Sequence, residues 1–77
     1  MKTFKDWKEI RDWAKDNGWT NLAARMQLNN DAWNSSGEFG RSQVEICDSI
    51  RFAETEEQQR NIAEQLNEQC SSNYGLY

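Results

Sequence analysis

The groups able to do chemistry in this chain are few: two cysteines, Cys47 and Cys70, a scatter of carboxylates, and no histidine. Without an imidazole, the usual proton shuttle, metal ligand and activator of a serine or cysteine nucleophile are missing. Cys47 stands among apolar neighbours in a helical pattern, where a thiol is inert, and Cys70 follows an acidic turn that raises its pKa. If the segments carrying them fold back about residue 54, Cys47 faces a position near Ile62, and Cys70 lies about 12 Å further along its helix. A disulfide needs Cα atoms within about 7 Å, so two reduced thiols are expected. Two cysteines so far apart, without histidine, do not have zinc-ligand spacing.

Glu64 and Glu68, one helical turn apart, are the carboxylate pair to weigh for acid–base work. They lie opposite the apolar stripe of their helix, where a solvated acidic face is the common explanation. Gly37-Glu38-Phe39-Gly40-Arg41-Ser42 precedes a helix, as phosphate-cradling loops do. Such a loop carries Gly where Ser35 stands and Lys where Arg41 stands, follows a strand, and does not hold an acid such as Glu38 against phosphate. The stretch reads instead as a connector. Asn34-Ser35-Ser36 matches a glycosylation acceptor, but no secretory signal accompanies it. No enzyme, cofactor or metal site is expected.

The elements that position these groups follow from apolar spacing. Phe4, Trp7, Ile10 and Ala14 recur at helical intervals with Trp13 at the edge of the stripe, predicting a helix from the Thr3 cap to Gly18. Gly18 suits the left-handed residue that ends a helix, and Trp19 then packs back near Ala14. Thr20 caps a second helix with Leu22, Ala23, Met26 and Trp33 on one side, weakened toward Asn34 by asparagines. A loop is expected over residues 34–42. Ser42 with Glu45 forms a capping box before Ile46, Cys47, Ile50 and Ala53. Thr55 with Gln58 repeats the device before Ile62, Ala63, Leu66 and Cys70, with Glu57, Arg60, Glu64 and Glu68 on the opposite face. Residues 71–77 are an aperiodic tail. The expected fold is all-α, a single domain of about four short helices: a helix pair over 3–34, the loop, and a helix pair over 42–70.

Four Leu, four Ile, one Val and three Phe in 77 residues make a thin aliphatic supply. Four tryptophans compensate, each able to bury about 200 Å². A Trp-rich core holding Trp7, Trp13 and Trp19 is the result. At this size a core is marginal, so a homodimer or a bound partner completes the fold in one reading. The longest apolar run, Leu22-Ala23-Ala24, is far below the roughly 20 residues that span a bilayer. No apolar signal core follows the Lys-rich start, so a soluble cytoplasmic protein without membrane contact is expected.

Charge separates the functional classes. The formal net charge is −4, but residues 1–25 hold six Lys/Arg against four acids while residues 26–77 hold three Arg against nine. An acidic helical face complements a basic groove. The leading expectation is therefore a small non-catalytic inhibitor or protein-binding module. It would occupy a basic, nucleic-acid-handling surface of a larger partner, by analogy with mobile-element inhibitors such as anti-restriction and anti-CRISPR proteins. Asp48, Glu57, Glu64 and Glu68 would supply the charge. Phe52, beside Asp48 and opposite Cys47 and Ile50, either packs under the first two helices or is exposed as an interface anchor. Trp33, Phe39, Tyr74 and Tyr77 flank the loop and tail and are weighed the same way.

The competing expectation is a dimeric DNA-binding regulator whose N-terminal helix pair contacts phosphate. It needs Lys5, Lys8, Arg11 and Lys15 free, whereas Lys5 with Glu9, Lys8 with Asp12 and Asp12 with Lys15 are spaced to pair. Net negative charge also opposes direct nucleic-acid binding. A structural subunit of an assembly would use the same surfaces as the inhibitor.

Overall fold

The computed structural model describes the backbone of residues 1–36 and 40–73, and the side chains of residues 1–31 and 43–70. Four helices follow in order: α1 (Trp7–Asp16), α2 (Thr20–Ser36), α3 (Gly40–Arg51) and α4 (Glu56–Asn73). The described residues contain no strand. The fold is a small all-α bundle in which α2 packs against each of the other three helices.

Helix α1 begins a turn later than the Thr3 cap implied. Asp6 is its N-cap: Oδ1 accepts from Glu9 N–H at 3.1 Å, and Glu9 Oε1 accepts from Lys5 N–H at 2.8 Å. A carboxylate is a stronger cap than the Thr hydroxyl, and this reciprocal pair satisfies two otherwise free amides. Residues 2–5 lie ahead of the helix, yet Phe4 still reaches the core, its ring centroid 5.2 Å from that of Trp13.

The other end of α1 is as the sequence implies. Gly18 has φ +84°, Gly18 N–H donates to the Lys15 carbonyl at 3.1 Å, and Trp19 N–H donates to the Ala14 carbonyl at 2.8 Å. This Schellman closure reverses the chain and brings Trp19 edge-on to Trp13 at 5.0 Å. An L side chain at Gly18 would meet no atom within 4 Å, so the requirement for glycine is conformational rather than steric.

The loop expected over residues 34–42 is shorter, because α2 continues to Ser36 and α3 opens at Gly40. Helix propensity costs a few tenths of a kcal/mol at each Asn or Ser, and α2 recovers this by packing on three neighbours. Ser42 consequently lies inside α3 rather than at its cap, and the proposed box with Glu45 is not the start of the helix. The second box is formed: Gln58 N–H donates to Thr55 Oγ1, and Gln58 Oε1 accepts from Glu54 N–H, both at 3.1 Å. Helix α4 extends three residues beyond Cys70, into the expected tail.

The Trp-rich core is formed in part: Trp13 and Trp19 are buried, whereas Trp7, expected with them, is only half-buried at its edge. Ile10, Trp13, Ala14, Trp19, Leu22, Ala23, Met26, Ile46, Cys47, Ile50, Ala63 and Cys70 form one buried cluster, with Phe4, Trp7, Ile62 and Leu66 half-buried against it. Three polar residues are buried with them: Arg25, Asn29 and Gln59. Gln59 is fully buried because its carboxamide bonds both backbone polar atoms of Lys2, at 3.2 and 2.9 Å. Among the described residues, no helix is long and apolar enough to cross a membrane.

Candidate functional site

The α4 face opposite the core is built by the helical period. With Ile62, Ala63, Leu66 and Cys70 turned inward, Glu57, Asn61, Glu64 and Glu68 are turned to solvent, and all four are exposed. Arg60 lies three residues from Glu57 and four from Glu64, the spacing at which it would neutralise either. It does neither. Its guanidinium sits 5.1 Å over the Trp19 ring and donates to Asn17 Oδ1 at 2.8 Å, drawn to the corner between α1 and α2. Among the described residues, neither Glu57 nor Glu64 forms an ion pair, so both carboxylates are left unneutralised.

Helix α3 presents a second exposed surface. Burial of Ile46, Cys47 and Ile50 turns Val44 and Phe52 outward; Val44 is 58% exposed and Phe52 77%. The alternative in which Phe52 packs under α1 or α2 is therefore excluded, since its side chain is almost wholly in water. Asp48, between them on the same face, is half-buried and lines a shallow groove with Lys5, Trp7, Val44 and Arg51. Of the remaining aromatic candidates, Phe39, Tyr74 and Tyr77 lie outside the described residues, as does the side chain of Trp33.

The two thiols lie in different places. Cys47 borders the groove that holds Asp48, and Cys70 lines another with Arg25, Glu45 and Leu66. Both are free and buried. Burial is the main cause that pushes each thiol above its ordinary pKa. For Cys70 the nearby charge is Arg25, which pulls the other way, so the acidic turn invoked from sequence is not the cause. A protonated, buried thiol is a poor nucleophile. Among the described residues, no three Cys, Asp or Glu side chains gather to hold a metal ion.

The charge on α1 also differs from its expected pairing. Glu9 serves the backbone of Lys5 rather than its ammonium, and Asp12 pairs with Arg11. Arg11 further lies 5.0 Å over Trp7 and donates to Gln27 at 2.7 Å. Lys5, Lys8 and Lys15 are exposed and make none of the three ion pairs their spacing allowed.

Sequence reasoning missed Glu54 and Glu56, exposed beside Phe52 at the α3–α4 corner, and the diversion of Arg60. The Thr55–Gln58 box did mark that corner in the sequence. Comparison with protein-family models, with curated proteins and with solved structures finds no match for this chain.

Proposed function

We propose that this protein is a small non-catalytic binding module that occupies a basic surface of a larger protein through the acidic face of α4. The observation that carries this reading is the diversion of Arg60 to Trp19 and Asn17, which leaves Glu57 and Glu64 exposed without the cation their spacing provides. Unpaired carboxylates on a rigid helix keep their field for a partner, and such complementarity steers association and selects the partner's sign. A basic surface of this kind is found on proteins that handle nucleic acid, so the binding mode is that of an inhibitor excluding the natural polyanion. Anti-restriction and anti-CRISPR proteins provide the analogy. Buried, protonated thiols are in keeping with a role that needs no nucleophile.

The test is capture from lysate of the source cells, after nuclease, by the tagged protein and by a Glu57→Lys, Glu64→Lys, Glu68→Lys variant. The reading expects a stoichiometric protein that survives nuclease and is lost with the variant. Undiminished capture by a folded variant overturns it.

A second reading, a DNA-binding regulator using α1, is favoured by one observation: Lys5, Lys8 and Lys15 are exposed outside any ion pair. It requires a salt-dependent shift of duplex DNA at about 50 mM salt, where phosphate contacts are strongest. No shift there removes it.

A further inference from the structure

Phe52 is out of place in a folded monomer. Its neighbours Ile50 and Ala53 are 0% and 7% exposed, whereas Phe52 is 77% exposed. An isolated exposed aromatic is ordinary on a large protein, but this chain is short of apolar residues and leaves one of its three phenylalanines in water.

The backbone around it is held firmly. Phe52 N–H donates to the Asp48 carbonyl at 2.9 Å, Glu54 N–H to Gln58 Oε1 at 3.1 Å, and Gln58 N–H to Thr55 Oγ1 at 3.1 Å. Ala53 is buried beneath the turn. The backbone at such a corner needs little further ordering on binding, which suits an interface anchor.

Charge identifies the occupant. Glu54, Glu56 and Glu57 follow Phe52 and are all exposed. The two arginines that bracket the corner are turned away from it: Arg51 Nη2 makes a long 3.5 Å contact with the Phe4 carbonyl, and Arg60 bonds Asn17. The N-terminal dipole of α4 favours Glu56 and Glu57 in any case. It gives no reason for Glu54, ahead of the helix, or for Phe52.

We propose that the corner from Phe52 to Glu57 is the part of the acidic surface that enters the partner, and that the partner offers an apolar hollow rimmed by lysine or arginine. Phe52 fills the hollow and the three carboxylates meet its rim. This rests on the acidic-surface reading above and moves its energetic centre from the side of α4 to the corner.

The test titrates an amphipathic helical peptide of lysine and leucine, whose apolar stripe flanked by ammonium groups is the simplest surface of that chemistry against which Phe52 can pack, into the isotope-labelled protein and follows backbone amide shifts. The largest shifts are expected over residues 52–57. Phe52→Ala, which removes an exposed side chain and leaves the fold intact, should weaken binding about tenfold. Glu64→Lys, on the α4 flank, should change it less than about threefold. Shifts spread along Glu57, Asn61 and Glu64 with no dependence on Phe52 overturn the corner while leaving the acidic-face reading in place. Absence of saturable binding overturns the corner proposal outright, and the capture experiment then decides the broader reading on its own.

Discussion

The carboxamide of Gln59 closes on the backbone of Lys2 from both sides, Oε1 accepting from Lys2 N–H at 3.2 Å and Nε2 donating to the Lys2 carbonyl at 2.9 Å. The same Nε2 lies 3.4 Å from the Ile50 carbonyl. One fully buried side chain thus joins the N-terminal segment, the end of α3 and the first turns of α4. Phe4 follows two residues later and packs on Trp13, so the segment is both hydrogen-bonded and apolar in its attachment.

Gln59→Leu keeps the apolar volume but abandons these bonds. The loss should be about 1–3 kcal/mol, the cost of leaving buried polar groups without partners. Urea unfolding would measure it, and wild-type stability in the variant would show that the Lys2 attachment contributes nothing.

Arg60 binds the corner between α1 and α2 from outside, through Trp19 and Asn17. Arg60→Ala should cost about 0.5–1 kcal/mol in the same measurement, the range for an exposed cation over an aromatic ring. Arg60→Lys should recover only part of this, because an ammonium lacks the planar fork that stacks and donates together. Partner capture by the α4 face should persist in both variants, since Arg60 does not neutralise Glu57 or Glu64 in the native protein.

Both thiols start from an ordinary pKa of 9.0 and are raised in the folded state, chiefly by burial. The folded chain therefore holds these protons to higher pH than the unfolded chain does. Their contribution to stability is fully present below about pH 9, and declines as pH rises from there through the folded values. A Cys47→Ser, Cys70→Ser variant should show a shallower loss of stability above pH 9 than the wild type. In the native protein both thiols should react with an aromatic disulfide far more slowly than in urea, and equal rates would contradict their burial.

Much of the bundle was legible in the linear pattern. Ile10 with Trp13, Cys47 with Ile50, and Ala63 with Cys70 recur at intervals of three or seven, which a helix places on one side and a strand does not, and each pair is buried. Gly18 is legible for a similar reason, since few residues besides glycine accept φ +84°. The start of α1 was misplaced because Thr3 and Asp6 are both competent caps. What separates them is the reciprocal Glu9 bond together with the distant hold of Gln59 on Lys2.

The candidate site was legible only in its composition. The acidic face of α4 follows from the linear pattern, because a period of 3.6 residues sets Glu57, Glu64 and Glu68 opposite the apolar stripe whatever else the chain does. That pattern left open whether Arg60 would silence that face and whether Phe52 would be core or surface. Tertiary structure decided both. Arg60 is taken by a tryptophan that the α1–α2 turn brings within reach, and Phe52 is left outside because α3 turns its buried side to α2 and α4. Periodicity acts along one helix, whereas the partner of a long cation and the exposure of an aromatic depend on which other helices arrive beside it.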